Sequence, residues 1–114
     1  MPLTYEEVDG FLLISVDEGR FDSKVSAQFK DLMRKLEASD VDRILLDLTL
    51  VKSLDSSFLG ALIAVRKRID AHQSIELIGL TPPVARVFSL TRMDKIFAIH
   101  PDFTAAKKAG YQLK

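Results

Sequence analysis

The run Lys52-Ser53-Leu54-Asp55-Ser56-Ser57-Phe58-Leu59-Gly60-Ala61-Leu62 follows a short apolar segment, Ile44-Leu45-Leu46-Asp47-Leu48, and opens a helical pattern that continues to about Ala71. The apolar segment lacks alternation, which suits a strand covered on both faces in a parallel sheet. Beyond it, Phe58, Leu62, Val65 and Ile69 recur at helical spacing, with Leu59 and Ile63 beside them. A buried strand leading directly into an amphipathic helix is the unit of an α/β fold. Four of the five residues from Ser53 to Ser57 are Ser or Asp. One of them is enough to cap a helix, and capping alone would account for Ser53 or Asp55. The surplus hydroxyls lie at the carboxyl end of a parallel strand, where open α/β sheets place their sites. A helix start also offers unpaired N–H groups and the positive end of the macrodipole, so an added anion is tolerated there.

The flanking chain repeats the pattern. Asp9-Gly10 is a turn signal between strands near Thr4–Val8 and Phe11–Val16, predicting a hairpin. Asp17 to Arg20 is a polar loop. Asp22 and Ser23 offer caps for a helix that buries Val25, Phe29, Leu32, Met33 and Leu36 and ends near Ser39-Asp40. Ser74 to Ile78 is a further strand. Thr81 is expected to cap a helix that begins at Pro82-Pro83 and carries Val84, Val87, Phe88 and Leu90 on its apolar side. Ile96 to Ile99 is a last strand, and Asp102 to about Ala109 a last helix closed by Gly110. The predicted order is β-β-α-β-α-β-α-β-α. It gives an α/β domain with a mostly parallel open sheet, an antiparallel N-terminal hairpin and right-handed crossovers. Residues 1–114 read as one domain, with no linker or repeat.

Composition narrows the function. Sixteen basic and sixteen acidic residues cancel, so no global field draws the chain to nucleic acid or an anionic membrane. There is no cysteine, and the two histidines, His72 and His100, lie far apart, so neither thiolate chemistry nor a metal site is expected. No apolar run reaches the roughly 20 residues that span a bilayer. The N-terminus lacks the basic start and apolar stretch of a signal peptide, so the expected compartment is the cytoplasm. No G-x-S-x-G elbow, P-loop or G-x-G-x-x-G motif occurs. Asp47 ends its strand as a receiver phosphoacceptor would. The acid pair that would hold magnesium beside it is missing, which leaves Asp47 as a polar strand end or loop anchor. His72 is expected at a helix end, in a weak C-terminal dipole interaction. Arg66-Lys67-Arg68 reads as a solvated or partner-facing patch. The chain reads as a non-enzyme without a cofactor.

Ile44-Leu45-Leu46-Asp47-Leu48 followed by Leu54-Asp55-Ser56-Ser57-Phe58-Leu59-Gly60 resembles the STAS domain of bacterial anti-sigma factor antagonists, whose hallmark is D-S-S/T-G-L-G at a helix start. The resemblance extends to Glu18-Gly19-Arg20-Phe21-Asp22, to Leu80 through Phe88 and to Met93 through Phe97, and so covers nearly the whole chain. It implies that Ser56, with Ser57 as second choice, is phosphorylated by a serine kinase or anti-sigma factor of the histidine-kinase-like ATPase fold. A PP2C-type phosphatase would reset it. Asp55, Ser56, Ser57, Phe58 and Gly60 would form the partner-binding surface on a monomer or weak dimer, with nucleic acid and membrane insertion excluded. Two positions depart from the family. Phe58 replaces the motif's first glycine and either fills the core or adds to the docking surface. Arg92 stands where a glycine commonly follows the third helix. The other reading that the resemblance implies is an unphosphorylated accessory subunit packed on a transporter ATPase, as in single-domain relatives that serve lipid transport.

Overall fold

The computed structural model describes residues 2–36 and 40–110. Strands β1 (Leu3–Val8) and β2 (Phe11–Val16) form the antiparallel hairpin. At its tip Asp9 and Gly10 both have positive φ, 52° and 83°, as a two-residue turn that matches strand twist requires. β3 (Arg20–Phe21) and helix α1 (Ser23–Lys35) follow, then β4 (Arg43–Asp47), β5 (Ser53–Leu54) and helix α2 (Ser56–Arg68). β6 (Ser74–Ile78), helix α3 (Pro82–Leu90), β7 (Ala98–His100) and helix α4 (Phe103–Ala109) complete the described chain.

The main sheet has the order β1-β2-β4-β6-β7, with every pair after the hairpin parallel. Strands that lie side by side in chain order, joined by crossovers of one hand, stack the intervening helices on one face. The core shows this. Leu12, Ile14 and Val16 of β2, Ile44 and Leu46 of β4, and Ile75 and Leu77 of β6 pack with Phe29 of α1, Phe58 and Leu62 of α2 and Phe88 of α3. On the opposite face, Phe11, Leu45 and Ile78 meet Ala106 of α4. That face also carries a buried polar group. Arg43 Nε donates to Glu76 Oε2 at 2.7 Å, and its NH2 donates to Glu76 Oε1 at 2.5 Å and to the Ala106 carbonyl at 3.0 Å. The guanidinium lies 4.7 Å from the Phe11 ring centroid. Ser74 Oγ and His100 Nε2 complete the shell around the same carboxylate, at 2.7 and 2.8 Å.

Several boundaries differ from expectation. The last strand begins at Ala98 rather than Ile96 because Met93–Lys95 form a single 3-10 turn, which turns Phe97 into the core. Arg92, before that turn, holds the left-handed conformation at φ 65°, a position at which glycine escapes the Cβ penalty. Helix α2 stops at Arg68, with Ile69 already extended, rather than continuing to Ala71. His72 accordingly lies in the following turn, its Nε2 3.9 Å from Asp42. Helix α1 ends at Lys35. Ser39, where its end was expected, lies outside the described residues. Among the described residues no helix is long and apolar enough to cross a membrane.

Candidate functional site

Two short strands that local periodicity does not predict assemble the site. β3 pairs with β5 in parallel, Arg20 opposite Ser53 and Phe21 opposite Leu54. Gly19 O accepts from both Lys52 N and Ser53 N, at 2.7 and 3.2 Å. Each strand ends one residue before an N-cap aspartate. Asp22 accepts from Val25 N at 3.2 Å and Asp55 accepts from Ser57 N at 2.9 Å. The starts of α1 and α2 are thereby set side by side.

The two adjacent hydroxyls face different surroundings. Ser56, the first residue of α2, is exposed, and its hydroxyl has no protein partner among the described residues. The Ser57 hydroxyl, half-buried, donates to Asp55 Oδ1 and lies 3.0 Å from Ser26 Oγ of α1. Ser26 is buried and also contacts the Asp22 carbonyl at 2.8 Å. A carboxylate only accepts, so Ser57 gives its one proton to Asp55, and the Ser26 proton is shared between Ser57 Oγ and Asp22 O. The Asp55 carboxyl lies below its ordinary 3.8, chiefly because of the Ser57 hydroxyl. Removing that donor in Ser57→Ala is expected to move the carboxyl titration up toward 3.8, followed by carboxyl carbon NMR; an unchanged titration would show that the hydroxyl does not hold it.

The expected partner-binding set divides. Asp55, Ser56 and Gly60 are exposed and Ser57 is half-buried. Ser56 and Gly60, one turn apart, share a helix face. Phe58 corrects the reading that gave it to the docking surface. It is fully buried, its ring 4.0 Å from Phe21 and 6.1 Å from Phe88 between centroids. Thr81 occupies its N-cap position, but its hydroxyl makes no cap bond and donates instead to Val51 O at 2.6 Å, pinning the loop before β5. Asp47 anchors its loop by accepting from Thr49 N at 2.9 Å and from the Thr49 hydroxyl. Gly79, at φ 71°, passes so close that an added Cβ would collide with that threonine. Ser26 was missed. Its partner is 31 residues away, and no local spacing announces the contact.

A mostly parallel sheet with α1, α2 and α3 on one face, α4 on the other and a hydroxyl-rich helix start at its carboxyl edge defines a small STAS-type domain. The family profile described as "Mlab, STAS domain" matches residues 13–100, and the chain belongs to the STAS family. An anti-sigma factor antagonist from Mycobacterium paratuberculosis superposes with a TM-score of 0.83 at 24% identity, over 94% of this chain and 91% of that one. An anti-sigma-factor antagonist (STAS) domain protein from Planctomyces limnophilus gives 0.83 at 20%, over 94% and 95%. The Bacillus cell fate determinant SpoIIAA matches in two states, each at 15% identity. Its unphosphorylated form gives 0.69 over 94% of both chains, and its phosphorylated form 0.70 over 95% of this chain and 99% of that one. The fold is that of the anti-sigma factor antagonists.

Proposed function

We propose that this chain is a phosphorylation-controlled regulator, which in its unmodified form docks a partner through the start of α2 and is released when Ser56 carries a phosphate. The observation that carries this reading is the Ser56 hydroxyl, exposed and unpartnered among the described residues at the first position of a 13-residue helix. A phosphate adds about −1.5 to −2 charge, which the helix N-terminus tolerates locally. Buried under a docked partner, the same charge must be desolvated, at a cost of several kcal/mol. The partner would be a serine kinase or anti-sigma factor of the histidine-kinase-like ATPase fold, acting in the cytoplasm, with a PP2C-type phosphatase restoring the hydroxyl. That SpoIIAA keeps a similar likeness to this chain with and without phosphate supports a switch that works at the surface.

The test is to incubate the chain with its candidate kinase and ATP and map the modified residue by mass spectrometry. Ser56→Asp is expected to bind the partner pulled down by the unmodified chain at least about tenfold more weakly, a loss of about 1.4 kcal/mol or more. Equal affinity would sink the charge mechanism.

Gly60 supports the docking surface from another direction. It sits exposed inside α2, and nothing lies within 4 Å of an added Cβ. Among the described residues no contact calls for glycine, which costs about 1 kcal/mol against alanine in a helix. Gly60→Ala is expected to stabilise the fold by about 0.5–1 kcal/mol in urea unfolding while weakening the partner complex. Full retention of binding would remove Gly60 from the interface.

A second reading is the accessory-subunit one that the resemblance implied; the matching family profile is described as "Mlab, STAS domain", without mention of an antagonist. In that reading the domain is a permanent, unphosphorylated subunit of a transporter ATPase. A co-purifying ATPase, with no phosphate on the chain isolated from cells, would favour it.

A further inference from the structure

Two serines stand in sequence at the same helix start, yet a kinase has to take one of them. We propose that Ser26, acting from α1, is a selectivity-determining residue that, together with Asp55, holds the Ser57 hydroxyl shut and leaves Ser56 as the nucleophile. This rests on the phosphorylation reading above and adds to it what sets the choice of hydroxyl.

The geometry supplies the mechanism. In phosphoryl transfer the serine oxygen forms a bond to the γ-phosphorus of ATP, the bond to the ADP oxygen breaks, and the hydroxyl proton leaves to the kinase's base. The nucleophile therefore needs a free lone pair aimed at phosphorus and a proton that can depart. At Ser57 the proton is engaged and one of the two lone pairs is occupied. Its proton is held by Asp55 Oδ1, and its acceptor side faces Ser26 Oγ at 3.0 Å. Ser26 cannot swing away freely, since it is buried and bonded to the Asp22 carbonyl at 2.8 Å. A phosphate on Ser57 would also lie beside the Asp55 carboxylate and against α1, where like charges repel. Ser56 Oγ is exposed and makes no hydrogen bond among the described residues, so its proton and both lone pairs are open to the kinase. The zipper of β3 on β5 holds the arrangement, because it fixes the two helix starts in register. Ser26 thus acts on Ser57 without touching substrate.

Two measurements on the full chain test this. The first needs no kinase and compares aspartate at each position by thermal unfolding. Ser56→Asp is expected to melt within about 2 °C of wild type, and Ser57→Asp at least about 5 °C lower. Equal melting temperatures for the two would overturn the lock. The second is kinase labelling with peptide mapping. Ser56→Ala should take no phosphate, whereas Ser26→Ala/Ser56→Ala should gain label on Ser57. Wild-type-level label on Ser57 in the single variant overturns the selectivity, and an unlabelled double variant overturns the part given to Ser26. A wild-type chain that takes no phosphate defeats the phosphorylation reading instead, while the melting comparison still decides whether Ser57 is shut.

Discussion

Replacing Glu76 with glutamine is expected to destabilise the fold by about 3–5 kcal/mol, the usual cost of removing one partner from a buried ion pair. The carboxylate is almost fully enclosed and receives two bonds from Arg43, one from Ser74 and one from His100. Burial alone pushes its pKa up, but the hydrogen bonds from Arg43, Ser74 and His100 and the Arg43 charge outweigh it and hold the group below its ordinary 4.5. Glutamine keeps the shape and loses the charge, leaving a buried guanidinium without a counterion. The effect should reach α4, since the same guanidinium donates to the Ala106 carbonyl at 3.0 Å. Urea unfolding measures the cost, and faster amide exchange in residues 103–109 would report the loosened helix. A depressed folded pKa means that the contribution is fully present above the unfolded value and fades as the pH falls through the folded one. Wild-type stability should therefore drop below pH 4.5, and that part of the drop should vanish in Glu76→Gln. The double variant Arg43→Met/Glu76→Leu removes both charges and should cost less than the single change. A single-variant cost under about 1 kcal/mol would show that the pair adds nothing.

This group was invisible in the sequence for a physical reason. Ser74-Ile75-Glu76-Leu77-Ile78 reads as an apolar strand with one acid, and Arg43 as the polar start of another. Only the register, with Arg43 opposite Ser74 and Leu45 opposite Glu76, brings arginine and glutamate onto one face. Register and strand order come from long-range pairing, which local periodicity does not encode. The same limit hid β3 and β5, two residues each, and with them the contact between Ser26 and Ser57. By contrast, the Asp9-Gly10 turn and the caps at Asp22 and Asp55 were legible because each depends on residues within a few positions. At the candidate site, the sequence located the helix start and its two serines. It could not show which hydroxyl is open, because that depends on α1.

Phe58→Gly, a change to the residue usual at this point of the family motif, is expected to cost about 3–5 kcal/mol for the lost ring and about 1 kcal/mol more for glycine inside a helix. The ring is one of the two inner members of a row of four that joins three helices. Phe29 of α1 meets Phe21 at 6.2 Å edge-on, Phe21 meets Phe58 at 4.0 Å, and Phe58 meets Phe88 of α3 at 6.1 Å. Each of the four is fully buried, so deleting the Phe58 ring opens a cavity that its neighbours Phe21 of β3 and Phe88 of α3 would have to close together. Phe21 belongs to β3, the strand that zips onto β5, so the packing beneath α2 also steadies the start of the helix above it. Phe58→Leu separates this role from docking, because it keeps most of the volume and leaves the surface untouched. Stability should fall modestly in that variant, while affinity for the partner captured by the unmodified chain should stay within about twofold. A tenfold loss of binding with little loss of stability would return Phe58 to the interface, and would require α2 to turn its buried face outward when the partner docks.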